Sequence, residues 1–453
     1  MSENLVGLLI DVRKARRGGE DALAVRQRRR LAEMVAFARS TSPYYRELYR
    51  DIVGPVENPA PLPVTDKIKL MERFNDWVTD RAVTIEDIRA FVSNPELVGE
   101  RLLGRYTVAT TSGTTGTQGI FLIDERSLAV TAALAARMLG AWLGLGDVLR
   151  IVLRGGRMAM VNATGGHFAS AIAAARLVRR HKKRVAVFPV AMPLPEMVAG
   201  LNTFRPAVIA PYASMAGLLA NEQHGGRLRI DPVLLVLSAE GLPLAEYGRI
   251  SVAFNAKVRD SYAATECPFL SYRCEHGWLH VNSDWVILEP VDAEYKPVEP
   301  GERSHTVLVT NLANRVQPVL RYDLGDSVVQ RPDACPCGNP LQAIRVYGRT
   351  ADMITFQGGD GEQVTIAPLA FGPLIDRVRG VKQFQILQTS LTSLRVRLRL
   401  DQGTDKEAAW QAVYTQFGDL LSQHNLAHVR VEFGDEVPER SAGGKYREVI
   451  PLR

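Results

Sequence analysis

The sequence predicts an α/β protein. A large N-terminal domain with parallel βαβ sheets and a small antiparallel or barrel-like subdomain precedes a small C-terminal α+β domain. Three observations carry this expectation. Short β-rich runs alternate with alanine-rich helical stretches from about residue 150 to 240, the texture changes after Glu266 to strands separated by turns, and the last hundred or so residues read as strand, strand, helix, strand. A chain of 453 residues is long enough for about three domains or subdomains, and 46% hydrophobic content can fill a sizeable core.

Taken in order, the apolar residues 5–10 before Asp11 are too few for a signal-peptide core, so no export is expected and the location is expected to be cytoplasmic. Residues 26–49 carry charged and apolar positions at helical spacing, predicting one amphipathic surface helix whose arginines do no chemistry. A strand over 106–109 then leads into Thr110-Thr111-Ser112-Gly113-Thr114-Thr115-Gly116-Thr117-Gln118-Gly119. Glycines let backbone amides approach an anion closely and hydroxyls add donors, so the loop suits phosphate; it is not a Walker loop, which ends in Gly-Lys-Ser/Thr. The longest apolar stretch, 129–146, has Arg137 in its middle and several glycines, predicting a buried helix rather than a membrane span.

Strands are expected at 150–153, 185–188, 207–210 and 233–237, forming a largely parallel sheet with ligands at its carboxyl edge. The runs 285–289 and 306–310, separated by Pro297 and Pro300-Gly301, predict the antiparallel subdomain. Beyond a boundary near Arg349, which divides the chain into 1–349 and 350–453, strands are expected at 383–388, 394–400 and 429–433, with a helix over 407–424.

The net charge of +6 is modest and spread. Its one dense cluster, Arg179-Arg180-His181-Lys182-Lys183-Arg184, reads as a solvated face, with contact to the phosphates of a ligand as the functional alternative. Neither a nucleic-acid nor a membrane partner is expected. Four cysteines make no disulfide framework. Cys335-Pro336-Cys337-Gly338 has turn composition, and its thiolates can share a cation only if other ligands join them. Cys274 and His280 are the best additional pair, with His276 or Cys267 as replacements for His280, although Cys267 beside Glu266 better suits the active site. A closed Cys₃His site would be structural.

Four further motifs follow the hydroxyl-rich loop: Asp260-Ser261-Tyr262-Ala263-Ala264-Thr265-Glu266, Arg321-Tyr322-Asp323-Leu324-Gly325-Asp326, Gly348-Arg349-Thr350-Ala351-Asp352-Met353-Ile354 and Gly443-Gly444-Lys445-Tyr446-Arg447. In that order and at those separations the set resembles the adenylate-forming superfamily of acyl-CoA synthetases, luciferases and peptide-synthetase adenylation domains, over nearly the whole chain. Pro43-Tyr44-Tyr45-Arg46-Glu47-Leu48, the short C-terminal region and the Cys-Pro-Cys-Gly segment look most like the phenylacetate–CoA ligase and coenzyme F390 synthetase branch.

The resemblance implies ATP- and Mg²⁺-dependent adenylation of a small, aromatic or otherwise hydrophobic carboxylic acid, then acyl transfer to coenzyme A. Thr111, Ser112, Gly113, Thr114, Thr115 and Gly116 would cradle the pyrophosphate end of ATP, although Thr117-Gln118-Gly119 stands where the superfamily usually has Pro-Lys-Gly. Ser238, Ala239 and Glu240 would meet the adenine, Tyr262 would stack on it, Thr265 would donate to the α-phosphate and Glu266 would ligate Mg²⁺. Asp326 would accept from the ribose diol and Arg349 would support ribose or phosphate. A mobile C-terminal domain, hinged at Ala351 or Asp352, would swing Lys445 onto the acyl oxygen. His167 is either an acyl-pocket wall or a hydrogen-bonded core residue. The Cys/His grouping resembles the zinc site of some relatives, and a homodimer is compatible with the resemblance. The motifs leave the acceptor open to an amine, a carrier thiol or a hydroxyl, and the acid open to an unusual oxyanion. The missing loop lysine is the one argument for a non-catalytic nucleotide-binding regulator.

Overall fold

Runs of alternating or β-branched residues form the sheets, and alanine-rich segments form helices such as Glu125–Trp142, Ala169–Arg180 and Ala213–His224. The computed structural model describes residues 4–111, 118–162, 164, 166–238, 244–346, 354–359, 361–366, 370–375, 378–439 and 449–452. The chain forms two compact units: Met1–Thr110, Gly119–Arg150 and Arg259–Arg349 make the first, and Thr111–Gln118, Ile151–Val258 and Thr350–Arg453 the second.

The first unit opens with helices Leu5–Arg17, Gly19–Thr41 and Pro43–Leu48. The single helix expected over 26–49 is therefore two. Ser42, preceding a proline, is pushed to an extended conformation (φ −104°, ψ 118°) and then caps the next helix at Tyr45 N. The Gly19–Thr41 helix is not merely a surface element, because Arg30 is buried, pairs with Asp11, donates to the Asp284 carbonyl at 2.6 Å and lies 3.6 Å over the Trp285 ring. Tyr45 Oη and Trp77 Nε1 both donate to the Pro318 carbonyl, at 2.9 and 2.6 Å, so the Pro43–Leu48 segment anchors core.

Strands Arg101–Leu102, Tyr106–Thr110 and Ile120–Ile123 form an antiparallel sheet in which Thr110 pairs with Ile120, bracketing the hydroxyl-rich loop. Helix Glu125–Trp142 follows, capped by Asp124, with Arg137 buried against Asp284 at 2.8 Å. Its charge is thus compensated inside the protein. Strands Val286–Val291, Thr306–Asn311 and Val319–Asp323 make the expected antiparallel sheet. Another antiparallel set runs, in spatial order, Val328–Gln330, Ala343–Val346, Leu279–Val281, Cys267–Arg273 and Lys257–Ala264.

In the second unit, parallel strands lie in the order Val185–Pro189, Met158–Asn162, Val208–Pro211, Leu234–Leu237, linked by helices Ala169–Arg180, Leu194–Phe204 and Ala213–His224. Three of the four expected strands are present. Residues 150–153 instead end the helix Leu145–Leu153, and the first strand is Met158–Asn162. Three apolar residues after Arg150 carry no period of their own, and Leu145, Val148, Leu149 and Val152 follow helical spacing once the preceding turn is included. The same unit holds strands Val381–Ser390, Ser393–Leu400 and Arg430–Gly434 and helix Lys406–Gln423, matching the C-terminal expectation. Phe384, Val396, Val413, Phe417 and Leu420 fill that core. Among the described residues, no single helix is long and apolar enough to cross a membrane.

Candidate nucleotide site and metal centre

Thr265 and Glu266 are the two turn residues of a β-hairpin between Lys257–Ala264 and Cys267–Arg273, with Ala264 paired to Cys267. A tight turn fixes both side chains at the rim of the sheet. Glu266 is buried; one carboxylate oxygen accepts from Tyr322 Oη at 3.0 Å, and its carbonyl accepts from Asn311 Nδ2 at 3.1 Å. Tyr322 and Asn311 come from the adjacent antiparallel pair, in which Val309 faces Tyr322. Burial first, and then the neighbouring Glu266 charge, raise the Tyr322 hydroxyl far above an ordinary phenol, so it stays protonated as the donor.

On the same hairpin, Tyr262 Oη donates to Asp326 Oδ2 at 2.7 Å, joining two motifs 64 residues apart. Asp326 is buried and follows a turn that needs Gly325 at φ +76°, whose amide donates to Asp323 Oδ1 and Thr306 Oγ1. Arg321, at the head of that motif, is turned to structure: its guanidinium holds Glu289 and the Ala60 and Leu62 carbonyls. The arrangement therefore gathers an aromatic face, a diol-type acceptor, a hydroxyl and a buried carboxylate. Cys267, the next residue, packs into the hydrophobic core, and burial pushes its thiol up to about 12. It does not line the site, contrary to the sequence expectation.

In the second unit, His167 and Ser238 both follow the carboxyl ends of parallel strands. His167 is buried, and Ser238 is tied to the Pro211 carbonyl through its amide at 3.2 Å. Tyr212 joins them at that edge, bridged to Ser238 and with its hydroxyl 3.1 Å from Ser170 Oγ. Thr111 and Thr265 are half-buried. Ser112, Gly113, Thr114, Thr115, Gly116, Ala239, Glu240, Arg349, Ala351, Asp352 and Lys445 lie outside the described residues.

The sulfur ligands come together in the first unit. The potential ligand atoms of Cys274, His280, Cys335 and Cys337 all lie within 4.8 Å of one another. Cys274 Sγ is 3.8 Å from Cys335 Sγ, and Cys337 Sγ is 3.2 Å from His280 Nε2. The S···S separation is the edge of a tetrahedron with metal–sulfur bonds of about 2.3 Å. His280 Nδ1 meets the Leu341 carbonyl at 2.9 Å, which fixes the tautomer presenting Nε2 to the sulfurs. Each cysteine turn is closed at a glycine of positive φ, Gly277 (76°) and Gly338 (70°). Burial acts to raise the Cys274 thiol, but its contact with His280 and hydrogen bonds from the Trp278 and His276 backbone bring it below its ordinary value. The Cys337 thiol is pushed up to about 12 by burial and the adjacent sulfurs. Neither alternative fourth ligand joins: His276 is exposed beside Glu275 and Cys267 is in the core.

No protein-family model matches the chain. Among solved structures, 2-hydroxyisobutyryl-CoA ligase in complex with 2-HIB-AMP and CoA, in the thioesterification state, gives a TM-score of 0.56 at 22% identity, covering 95% of this chain and 89% of that one. The same ligase in the postadenylation state gives 0.52 at 21% identity, over 96% and 89%. The chain has their fold. Protein CapK of Staphylococcus aureus is 24% identical over 257 residues, 55% of this chain and 54% of that protein. This chain thus spans about half the length of that curated relative. Within the fold, Tyr322, Asn311 and Tyr212 were given no role by sequence reasoning. Only Tyr322 carried a signal, standing inside the Arg321–Asp326 motif four residues before Asp326.

Proposed function

We propose that the protein is an AMP-forming ligase that adenylates a small carboxylic acid, aromatic by its resemblance to the phenylacetate–CoA ligase branch, and passes the acyl group to coenzyme A. The carrying observation is the Tyr262–Asp326 hydrogen bond beside the Tyr322–Glu266 pair, which unites residues from separate motifs. That ligases of this fold have been solved with an acyl adenylate and CoA supports the reading.

In this reading the 111–116 loop holds the pyrophosphate end of ATP and Ser238, Ala239 and Glu240 meet the adenine. Tyr262 offers its ring to the base while Asp326, which already orders the Tyr262 hydroxyl, accepts from the ribose. Thr265 donates to the α-phosphate. Glu266, a buried carboxylate held by a phenol, fits a hard divalent cation, and Mg²⁺ when bound would neutralise phosphate charge. Arg349 and Lys445 stabilise charge from the boundary and from a mobile C-terminal domain, 350–453, while His167 walls the acyl pocket. The Cys₃His cluster fits structural zinc, since its four donors leave no position for substrate. The location in this reading is cytoplasmic.

ATP–pyrophosphate exchange across a panel of aromatic and aliphatic acids, followed by mass spectrometry of products formed with coenzyme A, amines and carrier thiols, tests this. Acid-dependent exchange and an acyl-CoA product are expected. Nucleotide binding with no exchange for any acid would favour a regulator, and exchange without thioester formation would reassign the acceptor.

A further inference from the structure

The helix Leu5–Arg17 has two faces. Leu8, Val12 and Ala15, at i, i+4 and i+7, are buried and seat it on the protein. Opposite them, Val6, Ile10, Arg13 and Arg17 stand at i, i+4, i+7 and i+11, so the helical period sets them on one stripe. Val6 is 59% and Ile10 50% exposed, Leu5 and Leu9 flank them at 44% and 38%, and Arg13, Lys14 and Arg17 follow, all exposed. The first half of the outer face is thus apolar and the second half cationic. Asp11, the only acid of the helix, is held by Arg26 and Arg30, and no carboxylate among the described residues pairs with Arg13, Lys14 or Arg17. The charge that composition suggested was spread is concentrated here: residues 5–41 carry nine Lys and Arg against four Asp and Glu, an excess of five in a chain whose net charge is +6.

We propose that the outer face of this helix docks on an anionic lipid bilayer. A helix lying in the headgroup plane sinks its apolar side chains to the acyl boundary and leaves Lys and Arg on the phosphates, and this face offers both within about 20 Å. Every residue of the footprint lies on one helix of one unit. Docking disturbs no packing, because Leu8 and Val12 stay in the main hydrophobic core. A second copy of the chain fits less well. Two such helices paired antiparallel would set Arg13 and Arg17 on the other's Val6 and Ile10, and paired parallel would oppose like charges. The face, about 20 Å by 10 Å, also falls well below the roughly 800 Å² per partner of a stable interface. An acidic protein would satisfy the cations and leave the apolar half facing charge, whereas a bilayer meets each half with its own chemistry.

The test is co-sedimentation of the full chain with phosphatidylcholine vesicles with and without phosphatidylglycerol, at low and high salt. Binding only to vesicles that contain phosphatidylglycerol, weakened by salt, is expected. Val6→Asp with Ile10→Asp, and separately Arg13→Ala with Arg17→Ala, should each weaken it by about tenfold or more. All four side chains are exposed, so circular dichroism and thermal unfolding should be unchanged. Absence of binding by the folded wild-type protein overturns the proposal. So does binding that both double variants retain, which would place the contact elsewhere on the chain. A solution dimer that Val6→Asp with Ile10→Asp dissociates, with vesicle binding absent, would overturn it in favour of a second copy. Binding to both vesicle types alike, indifferent to Arg13 and Arg17, would overturn the anionic headgroup as the partner.

Discussion

A carboxylate buried in a hairpin turn needs donors, and Glu266 is given a phenol whose proton is retained at any working pH. Glu266→Gln keeps the volume and removes the charge. It is expected to abolish most Mg²⁺-dependent pyrophosphate exchange while leaving thermal unfolding nearly unchanged, and unaltered exchange kinetics would remove Glu266 from the metal. Tyr322→Phe deletes only the hydroxyl. Because partners of a metal-binding carboxylate commonly control 10–100-fold in metal affinity or activity, the Mg²⁺ concentration for half-maximal exchange should rise by roughly tenfold, recoverable at high Mg²⁺. A purely structural tyrosine would lower stability without moving that midpoint. Glu266, Tyr262 and Asp326 were legible because a motif states spacing and residue type together. Tyr322 was not, because a tyrosine in a strand of Val, Leu and Arg reads equally well as core, and only the fold shows its hydroxyl reaching the carboxylate.

The Cys/His cluster is supported by little apolar packing, whereas Leu8, Val12, Leu31, Met34 and Val35 of the N-terminal helices join the main hydrophobic core. Trp278, Cys335 and Ala343 are the buried hydrophobic cluster beside the metal ligands, with Arg345 4.1 Å over the Trp278 ring, so little apolar packing supports the two cysteine turns. Metal analysis should find about one zinc per chain. Structural zinc can contribute on the order of 10 kcal/mol of apparent binding free energy in small domains, so chelation or His280→Ala should lower the unfolding temperature. Undiminished stability of metal-free protein would defeat the assignment. Asp11 makes a pH prediction. Partial burial acts to raise its carboxyl, but the bonds and charges of Arg26 and Arg30 bring it below the usual range. Its contribution is therefore present above the unfolded-state value and lost as pH falls through the lower folded one, so Asp11→Asn should flatten the acid limb of a stability–pH profile. Elements were readable where composition and period agreed, as in Val185–Pro189, Val208–Pro211 and Lys406–Gln423. Leu145–Leu153 was misread because β-branched composition and helical spacing disagreed. Met158–Asn162 went unseen because methionine and alanine give a strand no mark.

Across the whole molecule, the proposed chemistry draws on Lys445, more than a hundred residues beyond Asp326 in sequence. If the C-terminal domain alternates between orientations, Lys445→Ala should slow adenylation by roughly 10²–10³-fold while acyl transfer from a supplied adenylate survives. Equal losses in both half-reactions, with folding intact, would rule out alternation. A shorter-range dependence lies in the strand Cys267–Arg273, which begins immediately after Glu266 and ends immediately before Cys274. About 26 Å of extended backbone thus joins the proposed nucleotide carboxylate to the sulfur cluster. Register errors at one end reach the other. By thermodynamic reciprocity, whatever factor zinc adds to nucleotide affinity, nucleotide must return to zinc affinity. Zinc-stripped protein is then expected to bind ATP with a higher equilibrium dissociation constant, and saturating ATP should lower the fraction of metal a chelator can withdraw at equilibrium.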